Sequence, residues 1–139
     1  MSGRPLPHPD VIAFDCYRTL LQNDPADWER MFGDICREQA LRLSGPVLWE
    51  GWKKYEVQFR AARLNLAEPE KSPSFKTYET AWAECFASVF AEVGLHGNPA
   101  LAAKRCVEHM ARRPPYPETA KALRTLSGRV KLAVLSNAD

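Results

Sequence analysis

The organisation of the chain follows from residues 11–21, which read Val11-Ile12-Ala13-Phe14-Asp15-Cys16-Tyr17-Arg18-Thr19-Leu20-Leu21. Four apolar residues run directly into an aspartate, without the polar alternation of a half-exposed strand. This pattern predicts a strand that is buried on both faces, as in a parallel sheet covered by helices. A carboxylate at the carboxyl end of such a strand lies where open α/β sheets bind their ligands. A structural strand followed by a polar turn without chemistry fits this stretch equally well.

A second apolar run favours the chemical interpretation. It reads Val130-Lys131-Leu132-Ala133-Val134-Leu135 and is followed by Ser136-Asn137-Ala138-Asp139. If the two runs pair as parallel strands, their carboxyl ends meet at one edge of the sheet. Asp15 then lies beside Ser136 and Asn137.

Between the two runs, apolar residues recur at helical spacing over several segments. Asp24-Pro25 and Asn98-Pro99 predict helix starts with a capping side chain and a proline at the first helical position. An inward stripe on the second helix ends at Leu66, and a third helix is expected to begin near Ser74 with Phe75 inward. The aromatic stripes are expected to form mainly bundle core.

This helical segment is much longer than a crossover between two parallel strands requires. We therefore expect residues 22–114 to form an inserted helical bundle with its own core. Residues 1–21 and 115–139 then form a partial sheet domain, and the fold class is α/β.

At the two strand ends the sequence resembles the haloacid dehalogenase (HAD) superfamily of hydrolases. The first motif matches as Phe14-Asp15-Cys16-Tyr17-Arg18-Thr19-Leu20 and the second as Leu135-Ser136-Asn137. A tyrosine two residues after the aspartate looks like the 2-haloacid dehalogenase branch, whereas the phosphatase branches usually carry a second aspartate there. The resemblance implies an incomplete Rossmann-like core with a helical cap that closes over the active site.

The resemblance also implies roles for individual residues. Asp15 is the expected covalent nucleophile, which forms an ester or an acyl phosphate that water then hydrolyses. The expected substrate-binding residues are Tyr17, Arg18, Thr19, Ser136 and Asn137, of which the hydroxyl and amide groups offer neutral hydrogen-bond donors.

The sequence departs from the family pattern in two respects. Arg18 stands where the family usually has glycine, so the loop is expected to be stiffer or to need a different backbone angle. The family's third motif, a lysine, and its fourth, one or two acidic residues, lie on later strands and do not occur in these 139 residues.

Three functions remain open at this point. The leading one is cleavage of a carbon–halogen bond in a 2-haloacid, which needs no cofactor. The second is a Mg²⁺-dependent phosphatase that acts on a phosphate ester, in which Asp15 is also a metal ligand. The third is an inactive fragment or a binding module, and we expect the 139-residue chain alone to show no appreciable turnover.

The composition of the chain limits the classes of partner that it is expected to bind. Hydrophobic residues make up 45% and charged residues 26% of the chain, and the formal net charge is +2. The charges are dispersed, which argues against nucleic-acid binding and leaves a small anionic substrate as the expected partner. No apolar run approaches the roughly 20 residues that span a bilayer. An apolar edge left open after Leu135 makes a homodimer one expected outcome.

The cysteines and histidines indicate neither a disulfide framework nor a metal site. Cys16, Cys36, Cys85 and Cys106 are far apart in sequence and form no Cys-x-x-Cys pair. This spacing is typical of reduced cytosolic thiols, so we expect a cytoplasmic protein in which the last three pack in helices. The three histidines lack the spacing of metal ligands.

Overall fold

The structure, a computed structural model, describes residues 8–136 of the 139-residue chain. Within that range it contains five α-helices and a parallel pair of strands, which confirms the predicted fold class. The elements in chain order are β1 (Val11–Phe14), α1 (Pro25–Glu38), α2 (Gly45–Ala62), a 3₁₀ turn (Pro69–Lys71), α3 (Tyr78–Glu92), α4 (Pro99–Ala111), α5 (Thr119–Ser127) and β2 (Lys131–Val134). No helix among the described residues combines the length and the apolar character that crossing a bilayer requires.

The described chain divides into two compact units. The sheet unit comprises residues 8–23 and 113–136, with both strands and α5. The helical unit comprises residues 24–112, with α1 to α4. These boundaries lie two residues from those expected from the sequence.

The helical unit is organised around α3, which packs against both α2 and α4. α1 packs against the same two helices, so that the four enclose one apolar core. The largest fully buried side chains are Phe32, Phe86, Met31, Ile35, Leu48, Val89 and Cys106. Burial of each large aliphatic or aromatic side chain contributes about 1.5–3 kcal/mol, so this core supplies most of the unit's stability.

Aromatic rings fill the centre of this core. The ring centroids of Phe32 lie 5.4 Å from those of both Trp52 and Phe86, and the Trp52 and Trp82 centroids are 5.7 Å apart. The Phe32–Phe86 pair is stacked and the other two pairs are edge-to-face, and pairs of these kinds contribute about 0.5–1.5 kcal/mol each beyond their buried area. These members of the predicted aromatic stripes are therefore core residues.

The cysteines of the helical unit pack in the same core, as predicted from their positions among helical apolar residues. Cys36, Cys85 and Cys106 are buried and not disulfide-bonded. Burial is the main cause that raises the pKa of the Cys85 thiol to about 11, and it also raises the pKa of Cys106. Nucleophilic thiol chemistry at neutral pH is therefore suppressed at these positions.

Two details of the predicted stripes are wrong. Phe75 is 76% exposed because α3 begins after Thr77 rather than near Ser74. The Thr77 hydroxyl accepts a hydrogen bond from the Thr80 amide, and this cap sets the start of the helix. Leu66 lies beyond the end of α2 and is 84% exposed.

Both predicted Asx-Pro helix starts are confirmed, but they differ in their capping. α1 and α4 begin at Pro25 and Pro99. The Asn98 side chain accepts a hydrogen bond from the Leu101 amide at 3.0 Å, whereas the Asp24 side chain makes no cap hydrogen bond. Asp24 therefore stabilises α1 through its negative charge at the helix N-terminus.

The two strands pair in parallel, as predicted. The register runs from Val11 opposite Lys131 to Phe14 opposite Val134. The Leu135 amide donates a further hydrogen bond to the Phe14 carbonyl oxygen at 2.8 Å. The carboxyl ends of β1 and β2 therefore lie side by side.

The prediction that both strands are buried on both faces is wrong for the described residues. Residues of β1 alternate between exposed and half-buried, and three of the four in β2 are exposed. Val134 is 61% exposed, and Leu135 beyond it is 74% exposed. Strands as apolar as these are suited to a sheet that helices cover on both faces. Among the described residues of the sheet unit, α5 is the one helix, so much of the sheet stays uncovered. The exposed apolar edge expected near Leu135 is present.

Candidate functional site

Polar residues follow both strands at the same edge of the sheet. Asp15 comes directly after β1 and is exposed, while Ser136 comes two residues after β2 and is half-buried. The parallel register brings these strand ends together, as the sequence predicted. Asn137, the other polar residue expected here, lies outside the described residues.

The loop after β1 folds back onto Asp15. The Thr19 hydroxyl donates a hydrogen bond to Asp15 Oδ2 at 3.0 Å. The Leu20 and Leu21 amides both donate to the Cys16 carbonyl oxygen, at 2.8 and 2.9 Å, and these bonds close the loop. The Asp15 carboxylate is thus oriented while remaining accessible, which a nucleophile needs in order to meet its substrate in line.

Arg18 adopts a left-handed backbone conformation with φ of +66°. Its amide donates a hydrogen bond to the Leu21 carbonyl oxygen at 2.7 Å, and its side chain is exposed. A residue with a Cβ atom is strained in this region, and glycine is the residue that adopts it freely. The sequence predicted a stiffer loop or a different backbone angle at this position, and the structure shows Arg18 in the left-handed conformation that glycine favours.

Tyr17 is half-buried on the same loop. Burial, the largest influence, raises the pKa of its phenol above 10.0, and the Cys16 thiol raises it further. The Arg113 guanidinium acts in the opposite direction and lowers the pKa. The phenol therefore stays protonated through the neutral pH range.

The segment that leads into α5 and includes its first residue, residues 113–119, is joined to this loop by hydrogen bonds; we refer to it as the strap. The Tyr116 amide and the Thr119 hydroxyl both donate to the Leu20 carbonyl oxygen, at 3.1 and 2.9 Å. The strap thereby fixes the loop that carries Asp15 relative to α5.

Sequence reasoning missed two buried residues of the strap, Arg113 and Thr119. They are 6% and 8% exposed. Arg113 stands in a run with Arg112 that reads as a helix stop, and no sequence signal separates the buried arginine from its exposed neighbour. The signal for Thr119 is a hydroxyl residue shortly after Pro117, where a helix was expected to open.

The described residues offer little for metal binding. Between residues 8 and 136, no group of three or more His, Cys, Asp or Glu side chains is arranged to hold a metal ion. Mg²⁺ prefers near-octahedral oxygen coordination, and Asp15 is the one carboxylate assigned to this site. The described residues therefore do not fit a Mg²⁺ centre. They present an oriented carboxylate, a phenol and hydroxyl groups, which suit covalent catalysis with hydrogen-bonded substrate binding.

Comparison with solved structures shows which fold this arrangement belongs to. An L-2-haloacid dehalogenase matches 93% of this chain with a TM-score of 0.63 and 22% sequence identity. The L-2-haloacid dehalogenase from Xanthobacter autotrophicus with covalently bound chloropropionic acid matches 94% with a TM-score of 0.60 and 20% identity. A defluorinating L-2-haloacid dehalogenase matches 93% with a TM-score of 0.62 and 18% identity.

These matches confirm the resemblance at the level of the fold. The chain spans 52%, 47% and 51% of the three neighbours, about half of each, so it corresponds to part of their fold. No family model and no curated protein matches the sequence.

Proposed function

We propose that this chain carries the nucleophile of a haloacid dehalogenase-type hydrolase that acts on a 2-haloacid. One observation carries the proposal: Asp15 follows β1 at the carboxyl edge of a parallel sheet, with its carboxylate oriented by Thr19. The match to three L-2-haloacid dehalogenases, at identities of 18–22%, supports this fold for the site. A covalent chloropropionic acid adduct in one of those neighbours supports the substrate class.

The proposed reaction begins with attack of an Asp15 carboxylate oxygen on the carbon that bears the halogen. A carbon–oxygen ester bond forms as the carbon–halogen bond breaks, and the halide leaves with the bonding electron pair. Water then hydrolyses the ester, which regenerates Asp15 and releases a 2-hydroxy acid. The orienting hydrogen bond from Thr19 favours this reaction because it restricts the attacking group to a productive geometry.

The remaining site residues bind the substrate in this proposal. The hydroxyl of Ser136 and the amide of Asn137 donate hydrogen bonds to the substrate carboxylate. The Thr19 hydroxyl lines the substrate site while its one proton is donated to Asp15. Arg18 attracts the anionic substrate with an exposed charge. Tyr17 lines the site as a protonated phenol.

The state of Tyr17 favours halide over phosphate as the leaving group. Phosphoryl transfer from an ester profits from a general acid that titrates near the working pH. Burial moves the pKa of Tyr17 in the unfavourable direction, above its ordinary value of 10.0. Halide needs no proton in order to leave. A Mg²⁺-dependent phosphatase, with Asp15 as one metal ligand, is thus the weaker proposal.

The chain alone is proposed to form the ester without turnover. The lysine and acidic motifs implied by the resemblance do not occur in its 139 residues. None of the residues assigned above is a base for the attacking water, so the ester should accumulate rather than hydrolyse.

The test is incubation of the 139-residue chain with 2-chloropropionate, followed by intact-mass measurement and peptide mapping. We expect one ester per chain at Asp15, none in Asp15→Asn, and the same ester in Asp10→Asn. Asp10 is the matched control because it is an exposed aspartate at the other end of β1. Phosphate release from a phosphate ester that depends on Mg²⁺ and on Asp15 would favour the phosphatase instead. If Asp15 reacts with neither substrate, the chain is an inactive fragment or a binding module.

A further inference from the structure

A threonine is buried at the start of α5, in the strap that adjoins the Asp15 loop. Thr119 is 8% exposed, and among the nine residues of α5, all of which the structure describes, it is the one that is buried. Burying a hydroxyl group costs free energy unless the group is hydrogen-bonded, so burial alone favours valine, which has the same shape without the hydroxyl. The Thr119 hydroxyl therefore needs a hydrogen-bond partner at this position.

That partner is the carbonyl oxygen of Leu20, in the loop after β1. The Thr119 hydroxyl donates to this oxygen at 2.9 Å, and the Tyr116 amide donates to the same oxygen at 3.1 Å. A carbonyl oxygen has two lone pairs, so the two donors satisfy it fully. The Leu20 amide in turn donates to the Cys16 carbonyl oxygen at 2.8 Å. Both polar groups of the Leu20 backbone are thus held.

The Thr119 hydroxyl does not act as a cap for the helix in which it lies. The free amides at a helix N-terminus need acceptors, whereas this hydroxyl is a donor to a carbonyl oxygen 99 positions away. Glu118, at the cap position of α5, makes no side-chain cap hydrogen bond either. The Thr119 hydrogen bond therefore stabilises the loop after β1 rather than the start of α5.

Leu20 is the residue next to Thr19, and Thr19 orients the candidate nucleophile. The Thr19 hydroxyl donates to Asp15 Oδ2 at 3.0 Å. The rotamers open to a side chain depend on the backbone torsions of its residue, so holding the peptide group after Thr19 restricts where the Thr19 hydroxyl can point. A hydrogen bond at Leu20 can therefore influence the Asp15 carboxylate through one intervening residue.

We propose that Thr119 is a positioning residue for Asp15. Its buried hydroxyl holds the Leu20 carbonyl group, which fixes the Thr19 side chain and, through it, the Asp15 carboxylate. Thr119 does not itself contact the substrate. The role deepens the proposed function and rests on it in one respect, since it assumes that Asp15 is the attacking group.

The first experiment uses the unaltered chain, so it does not depend on whether a variant folds. The Thr119 hydroxyl and the Tyr116 amide donate to one oxygen, so their two protons lie close together. We expect NMR to show a resolved hydroxyl resonance for Thr119 with a nuclear Overhauser effect to the Tyr116 amide proton. A hydroxyl proton that exchanges with water too fast to be observed, or one without this effect, overturns the proposal.

The second experiment compares Thr119→Val, which keeps the shape and removes the hydroxyl, with Thr119→Ser, which keeps the hydroxyl. Three-bond couplings report the rotamer of the Thr19 side chain. We expect one rotamer in the unaltered chain and in Thr119→Ser, and an average over several rotamers in Thr119→Val. Thr125→Val is the matched control, because the exposed Thr125 hydroxyl donates to the Lys121 carbonyl oxygen within α5. An unchanged Thr19 rotamer in folded Thr119→Val contradicts the role.

The third experiment measures the rate at which 2-chloropropionate modifies Asp15, as a function of the 2-chloropropionate concentration. In Thr119→Val we expect the maximum rate to fall at least about tenfold at an unchanged half-saturating concentration, because a misplaced reacting group slows the chemical step without weakening binding. Thr119→Ser should restore most of the rate, and Thr125→Val should not change it. An unchanged maximum rate, or a loss seen only as weaker binding, contradicts the role.

The two proposals fail separately. If the unaltered chain shows no modification of Asp15, the proposed function is wrong, while the NMR measurements still decide whether Thr119 holds the loop. If Asp15 is modified but Thr119→Val changes neither the Thr19 rotamer nor the rate, only the positioning role is lost.

Discussion

Replacing Arg18 by glycine and, separately, by alanine measures the strain in the loop that carries Asp15. Both substitutions remove the charge, but only alanine keeps the Cβ atom that makes φ of +66° unfavourable. A left-handed conformation costs a residue with a Cβ atom about 1–2 kcal/mol. The glycine variant avoids this cost, but it loses about 0.5–1 kcal/mol of stability relative to alanine because glycine gives up more conformational entropy on folding.

The difference between these terms predicts that Arg18→Gly is more stable than Arg18→Ala by roughly 0.5–1 kcal/mol. For a chain of this length that corresponds to a melting temperature higher by about 2–3 °C, or to a higher urea midpoint at an equal slope. Thermal and urea unfolding followed by circular dichroism measure both quantities.

The same pair of substitutions at Arg124 is the matched control. Arg124 is an exposed residue inside α5 of the same unit, where glycine is less favourable than alanine by about 1 kcal/mol. The order of the two variants should therefore reverse between the positions. Equal or reversed stabilities at Arg18 would show that its backbone is not strained in a left-handed conformation.

Three further predictions concern the helical unit. α1 and α3 end in the same type of turn, with Ala40 at φ of +52° in one and Gly94 at φ of +66° in the other. Because glycine adopts positive φ without strain, Ala40→Gly should stabilise the chain and Gly94→Ala should destabilise it, each by roughly 0.5–1 kcal/mol. Urea unfolding measures both changes. A Cβ atom added at Gly45 would clash with the Gly33 nitrogen, so Gly45→Ala should lower the free energy of unfolding by about 1–3 kcal/mol. A Cβ atom added at Gly33 would have its nearest neighbour 3.9 Å away, so Gly33→Ala should raise the free energy of unfolding. Equal effects of the two substitutions would contradict the close approach of α1 and α2. Burial is the main cause that raises the pKa of the Cys85 thiol from 9.0 to about 11, so the unfolded chain releases this proton at a lower pH than the folded chain. The free energy of unfolding should therefore fall as the pH rises from 9 to 11. The fall should be smaller in Cys85→Ser.

Patterns local in sequence predicted most of the architecture. Asx-Pro pairs marked the starts of α1 and α4, and two apolar runs marked the paired strands. The Asp15–Thr19 hydrogen bond spans four residues, so a single motif contained it. The special backbone conformation at Arg18 also had a local signal, because the family motif that this stretch resembles usually has glycine at that position.

What the sequence did not predict depends on distant parts of the chain. Thr119 bonds to Leu20 across 99 positions, and no local pattern specifies that partner. Burial of Arg113 rather than Arg112 follows from the path of the strap, not from residue type. The sequence also did not predict that β1 and β2 are exposed. Apolar composition indicates that a strand can pack against other elements, but it does not show how many elements pack on it.

Peptide mapping after exposure of the chain to 2-chloropropionate is the decisive test of whether Asp15 is a nucleophile. We expect the ester to accumulate on the peptide that contains Asp15, to approach one per chain, and to be absent from Asp15→Asn. Modification spread evenly over exposed carboxylates, or none at Asp15 in a folded chain, would contradict it.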